Sequence, residues 1–372
     1  MKHLLPVPRW NDATGKQIYF NSGISIQIIK SYNPEMKYRL VQTHQVMIHN
    51  FFHGFNFGRY PLINLFCAVL GFMGLILFPA CDKIIYPLFP ETAGQWYRGN
   101  THTHARFSDE NDSNDVPVIA GWYRDAGYNF LVLSEHNDHV ALKQIFSHDE
   151  ASDPPDFIML NGLELSETRH HTALGIDSYI GNETSLRDGV NKIIAAGGVP
   201  ILNHPQDPPV TVKTFLEIEG LNHLEILNGG RPEDTPATEM LWDSLLSDPN
   251  GRTVYAVASD DNHYKKSNVG RGWIMVRSPD LTAEDIEENI RNGNFYATSG
   301  VILKKLHSGK RSITIVSENG TLIKFIGKNG SILKEMSGDS ATYDIKGDEL
   351  YVRAKITNSL GKAAWTQPVF VN

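Results

Sequence analysis

Histidines and carboxylates recur in short clusters along this chain. His102 and His104 stand two apart in "GNTHTHARFSD", with Asp109 five residues beyond. His136 closes "FLVLSEH", Glu164 lies in "MLNGLELS", and His170 and His171 are adjacent in "RHHTALG". His204 ends "VPILNH", and Asp261 and His263 are again two apart in "ASDDNH". Imidazole nitrogen and carboxylate oxygen are the ligands of Zn, Mn or Fe(II), and one carboxylate can bridge two ions. A single histidine is more often an ordinary buried or surface residue. The same ending on six segments is a pattern, and it has enough ligands for two or three divalent ions. The chemistry such a cluster supports is hydrolysis by activated water. No G-x-S-x-G elbow offers a serine nucleophile instead.

The elements around these residues decide whether they can meet. In a strand, side chains at i and i+2 share a face, which puts His102 and His104 in one space. Strand and helix patterns alternate: "QWYRGNTHTH" reads as a strand, "PVIAGWYRDAG" as a helix ending at Gly127, and "YNFLVLSEH" as a buried strand. "DFIMLNGLELS", "VPILNHP", "HLEILNG" and "TVYAVASDDNH" read as further strands. "LRDGVNKIIAAGG", "ATEMLWDSLLSD" and "TAEDIEENIRNG" read as helices. This alternation predicts an α/β fold with a mostly parallel sheet, closed as a barrel, whose C-terminal strand ends converge on one rim. From Ser299 onward short strands with Asn-Gly and Lys-Gly turns predict a small antiparallel β-sandwich-like domain over 299–372.

Bulk properties narrow the partners. The 372 residues are 41% hydrophobic and carry a net charge of −8, which argues against a nucleic-acid binder that works by neutralising phosphates. Only Cys67 and Cys81 are present, both in or beside an uncharged run from Pro61 to Ala80. That run is long enough to span a bilayer or to act as an export signal, and its end, "LFPAC", resembles a bacterial lipobox. Residues 59–81 are therefore expected to attach the protein to a membrane through a lipid or a helix, with the body outside the cytoplasm of a bacterium. Residues 1–58 are expected to be a disordered or over-extended leader, Met36 or Met47 making a more natural start. Residues 82–95 read as a linker.

Taken in order, His102-x-His104, "SD" at 108–109, "SEH" at 134–136, "GLELS" at 162–166, "HHTALG", "NHP" at 203–205 and "DDNH" at 260–263 resemble the PHP (polymerase and histidinol phosphatase) superfamily. The resemblance covers roughly residues 96–300. It implies a distorted (β/α)7 barrel over 96–298 that holds up to three metals. By motif, His102, His104, Glu164 and Asp261 would bind the first ion. Glu164 would bridge to a second held by His170 and His204, and Asp109, His136 and His263 would take the third. "NGNFYATSG" and the C-terminal stretch resemble the carbaryl-hydrolase-like branch, whose "H….G" spacing favours His170 over His171. Glu135 replaces the family's usual Asp beside His136.

Three arginines, Arg106, Arg231 and Arg271, fall near the expected rim, where they could grip an anionic substrate. A small phosphate ester is the leading substrate. A carbamate, ester or amide is the alternative, and a membrane-anchored binding protein with structural metals is the rival from another class. "DENDSND" lacks the glycine and closing glutamate of a calcium loop, and His139, His148, His223 and His307 read as ordinary. "EILNG" is expected to shape the pocket.

Overall fold

The computed structural model describes residues 94–105, 115–138, 156–263, 265–309 and 311–371. Residues 1–93, with the apolar run and both cysteines, lie outside the described residues, as do Arg106, Asp109, His139 and His148. Among the described residues no helix is long and apolar enough to cross a membrane.

β1 (Gln95–Asn100) pairs in parallel with β2 (Phe130–Leu133), and β2 in parallel with β3 (Ile158–Leu165). β2 is apolar and wholly buried, and its neighbours are buried toward their C-terminal ends. α1 (Val116–Asp125) links the first two; the Asp115 side chain caps its first amide, and Gly127 takes a φ of 76° just past its end. β4 (His171–Leu174) departs from the expected parallel order, because it runs antiparallel to both β3 and the following β5 (Val199–Leu202). The cause is the short link from Leu165 to His171: a parallel return needs a crossover of a dozen or more residues. α2 (Leu186–Ala195), capped by Ser185, covers this part of the sheet.

Parallel pairing resumes from β5 to β6 (His223–Asn228) and on to β7 (Tyr255–Ser259), with α3 (Val212–Leu216) and α4 (Thr235–Ser247) between them. α4 packs on β6 and buries Leu241, Trp242, Leu245 and Leu246; each such side chain contributes about 1.5–3 kcal/mol. Just beyond β1 and β7, Thr103 and Asn262 form a parallel bridge, and the His104 amide donates to the Asn262 carbonyl at 2.9 Å. The C-terminal ends of the first and seventh strands therefore meet.

On the other edge of β1 the chain adds β8 (Trp273–Ser278), antiparallel, then α5 (Ala283–Arg291) and β9 (Phe295–Thr298). The remaining strands are β10 (Leu303–Ser308), β11 (Ser312–Ser317), β12 (Leu322–Gly327), β13 (Ser331–Ser337), β14 (Ser340–Asp344), β15 (Tyr351–Thr357), β16 (Ala363–Thr366) and β17 (Val369–Phe370). Four of them, in the order β16, β15, β12, β13, extend the same sheet outward from β9, all antiparallel, with β17 paired to β15. β10, β11 and β14 form a separate three-stranded sheet.

Between β3 and α5 lies a space of about 520 Å³, lined by Asp177, Glu284, Glu287, Glu288 and Arg291 among others. Burial and then the nearby Asp177 push the Glu287 carboxyl up to about 7, against the pull of Arg291. The folded state then holds a proton that the unfolded chain releases above about pH 4.5. Stability is accordingly full below that pH and falls as pH rises through about 7. Because the side chain is partly solvated, Glu287→Gln should recover only about 1 kcal/mol at about pH 8 and nothing at about pH 5. Urea melts of both proteins at the two pH values test this, and an equal gap at both would refute it.

Candidate metal centre

Each proposed ligand among the described residues sits at a strand end or beside one. His102 and His104 follow β1 in extended backbone, His136 follows β2 and bridges in parallel to Glu164 of β3, and His170 immediately precedes β4. His204 follows β5, and Asp261 and His263 follow β7. His204 and Asp261 adopt left-handed backbone, with φ of 25° and 48°. Non-glycine residues rarely do so, and strain of this kind concentrates at functional sites.

Glu164 is the hub. Its carboxylate lies 3.3 Å from His102 Nε2, 3.4 Å from His104 Nε2, 3.3 Å from His136 Nε2, 3.1 Å from His170 Nδ1 and 3.8 Å from His204 Nε2. Asp261 is a second hub, its Oδ1 standing 3.3 Å from His102 Nε2, 3.4 Å from His104 Nε2 and 3.3 Å from His263 Nε2. The six separations of 3.3–3.4 Å exceed the usual N–H···O length. They match instead the distance of about 3.3 Å between neighbouring ligand atoms on a tetrahedral ion with bonds of about 2.0–2.1 Å. Asp261 Oδ1 is buried without a hydrogen-bond partner, as an oxygen meant for a cation would be. The donor set thus fits divalent ions.

Among the described residues three groups could each hold an ion: His102, His104 and Asp261; His136, Glu164 and His170; and His104, His136 and His263. His204, expected to share an ion with Glu164 and His170, has its Nε2 3.8 Å from Glu164 Oε1. His204 stacks edge-on to His170 at 4.9 Å, and its buried Nδ1 has no partner. His171 faces the other way, its Nδ1 2.6 Å from the Arg169 carbonyl and its ring against Gly189 of α2. Neighbours in extended backbone point to opposite faces.

Charge is distributed to suit this role. Burial works to raise the Glu164 and Asp261 carboxyls, but His102 and its neighbours hold both well below the usual carboxylate range. Burial opposes a charge on His102, yet Asp261, Glu164 and Glu225 together drive its pKa well above the ordinary value. Burial lowers His104, and it lowers His136 to about 4. Two full carboxylates thus face His104 and His136 held neutral, the state that binds metal, and a cationic His102 that gives up a proton when it does so. The floor is closed, with His102, His104 and Glu164 at most 1% exposed, whereas His136, His170 and His263 are 29–33% exposed. The centre opens to solvent on that side.

No family model and no curated protein matches the chain. Among solved structures the chain is similar to a two-domain protein from Bacteroides vulgatus, described as containing a predicted PHP-like metal-dependent phosphoesterase. That likeness has a TM-score of 0.45 and 16% identity, over 75% of this chain and 96% of the other. An amidohydrolase from Chromobacterium violaceum, with bound sulfate and no metal, matches at a TM-score of 0.38 and 15% identity, over 53% of this chain and 96% of the other.

Beside the open edge lies a cleft of about 380 Å³, whose lining includes Asp261, His263, Arg231, Glu233, Lys265 and Arg271. Arg231 pairs with Asp207, and Arg271 donates to the Gly229 carbonyl at 3.2 Å. The loop that carries Lys265 and Arg271 is anchored by Asp260, which accepts the amides of Gly270, Arg271 and Gly272 at 2.6–3.0 Å.

Supporting residues went largely unread in the sequence. Glu135 accepts the Ala105 amide at 2.7 Å, steadying the segment that bears His104. Asn203 donates to Glu164 Oε1 at 2.7 Å. Asp260, Glu135 and Asn203 each immediately precede a ligand, so adjacency was the available signal. Glu225 had another, a carboxylate inside the apolar run "HLEIL".

Proposed function

We propose that this protein is a metal-dependent hydrolase of the PHP type that cleaves a small phosphate ester, using two or three divalent ions of Zn, Mn or Fe. The observation that carries the reading is the set of six nitrogen–oxygen separations of 3.3–3.4 Å around Glu164 and Asp261. The meeting of β1 and β7 at Thr103 and Asn262 supports a distorted (β/α)7 barrel as the frame, with residues 299–372 as an appended β region.

Bound there, such ions would make water acidic and polarise a phosphoryl oxygen. Glu164 and Asp261 would hold them from the closed floor, with His136, His170 and His263 on the solvent side. Arg231, Lys265 and Arg271 would orient the anionic substrate along the cleft wall, and these three cationic side chains beside the centre support a phosphate ester over a neutral carbamate, although Glu233 and Asp261 share the lining. The uncharged run from Pro61 to Ala80 supports a site held outside the cytoplasm on a bacterial membrane, and the net charge of −8 supports a small-molecule substrate over nucleic acid.

Purified protein supplied with Zn, Mn or Fe(II) is tested on p-nitrophenyl phosphate, bis-p-nitrophenyl phosphate and an aryl carbamate. Turnover of a phosphate ester is expected. Turnover of the carbamate alone replaces this reading with a carbamate hydrolase, and no turnover despite bound metal replaces it with a binding protein.

A further inference from the structure

Glu225 lies in the middle of β6, between Leu224 and Ile226, and is 1% exposed. Its carboxylate takes four donors. Oε1 accepts from His102 Nδ1 at 2.8 Å and from the Ser259 hydroxyl; Oε2 accepts from the His204 amide at 2.7 Å and from Asn228 Nδ2 at 2.9 Å. Two carboxylate oxygens offer about four lone-pair sites, so the group is saturated and is not itself a ligand. A bulge in β6 makes this possible. Between Glu225 and Leu227 the strand carries one more residue than β7 opposite, which brings Asn228 round to the Glu225 side. The second hydrogen of Asn228 Nδ2 goes to Asp261 Oδ2 at 3.0 Å.

We propose that Glu225 is the positioning residue that presets this centre, by fixing the ring of His102, the backbone of His204 and, through Asn228, the carboxylate of Asp261. The inference rests on the metal-hydrolase reading above. The three residues come from the ends of three different strands, and β6 lies beside two of those strands. A carboxylate that accepts the Nδ1 proton of His102 leaves Nε2 with its lone pair toward His104, Glu164 and Asp261. The same carboxylate holds the His204 amide where the backbone turns through its left-handed φ of 25°.

Glutamine in place of Glu225 has one acceptor oxygen and one donor nitrogen. The His204 amide cannot accept a hydrogen bond, so the oxygen stays on that side and the NH2 turns to His102. His102 can then accept only on Nδ1, which puts its proton on Nε2, facing the cation position.

The test measures Zn²⁺ affinity by competition with a chromogenic chelator, and the His102 protonation pattern by long-range ¹H–¹⁵N NMR of ¹⁵N-histidine-labelled full-length protein. Glu225→Gln is expected to weaken zinc binding about 10–100-fold at an unchanged fold. Glu287→Gln, in the separate space between β3 and α5, is expected to bind zinc as wild type does. In the zinc-loaded wild type, His102 is expected to carry its proton on Nδ1. Wild-type zinc affinity in Glu225→Gln overturns the proposal, and so does a wild-type spectrum with His102 bound through Nδ1, even should the variant fail to fold. A wild type that takes up none of Zn, Mn or Fe(II) overturns the hydrolase reading itself.

Discussion

Glu164→Gln is expected to lose most of its bound metal and to lower kcat/KM on a phosphate ester by about a thousandfold or more. The carboxylate lies within 3.4 Å of four histidine nitrogens, and in the group of His136, Glu164 and His170 it is the anion that balances the divalent charge. Asn203 already donates to Oε1 at 2.7 Å, so a glutamine either presents its NH2 to that donor or turns it toward the imidazoles. Each arrangement removes an oxygen from the cation face. Loss of a metal ion's charge stabilisation is worth several kcal/mol, and about 4 kcal/mol is a thousandfold. The variant keeps the size of the side chain, so circular dichroism should report an intact fold while metal content falls. Full activity with full metal content would remove Glu164 from the centre.

The second large effect concerns stability and lies away from the site. Asp243 of α4 accepts Arg353 Nε at 2.7 Å and Nη2 at 2.6 Å, together with the Tyr351 hydroxyl at 2.9 Å. The guanidinium lies 4.7 Å from the centre of the Trp242 ring and is 1% exposed. This pair fastens β15 to a helix that packs on β6, the strand that carries Glu225. Asp243→Ala leaves a buried guanidinium without its counter-ion, at a cost of about 3–5 kcal/mol. In a chain of this size that corresponds to a fall in Tm of about 10 °C. Asp243→Leu combined with Arg353→Met removes both charges and should recover most of the loss. Thermal melts of the two variants decide it: a Tm for Asp243→Ala within about 2 °C of wild type would show that the pair holds nothing together.

How much of this could be read beforehand follows from the range over which each feature is encoded. His102, His104, Asp261 and His263 announced themselves because ligands two apart on extended backbone are a local signal. Helix ends at Gly127 and Gly293 were equally local, since a positive φ after a helix calls for glycine. The reversal of β4 was legible in principle from the short link between Leu165 and His171, but the strand–helix alternation around it suggested otherwise. β8 and β9 carry no such mark. β8 is set by its pairing with β1, about 180 residues earlier in the chain, and β9 by its pairing with β16. The joining of the C-terminal strands to the main sheet has the same origin. Glu225 in "HLEIL" and Asp243 in "LWDSLL" are carboxylates in apolar runs, and a buried carboxylate needs partners. The sequence shows that each needs them without showing which residues they are.

The central claim is that these imidazoles and carboxylates surround divalent ions. Elemental analysis of the purified protein, before and after chelation and metal reloading, tests it most directly. Two or three equivalents of Zn, Mn or Fe that leave with the chelator, and phosphatase activity that leaves and returns with them, are the expected result. A protein free of these metals, unable to take them up and indifferent to their addition, would contradict it.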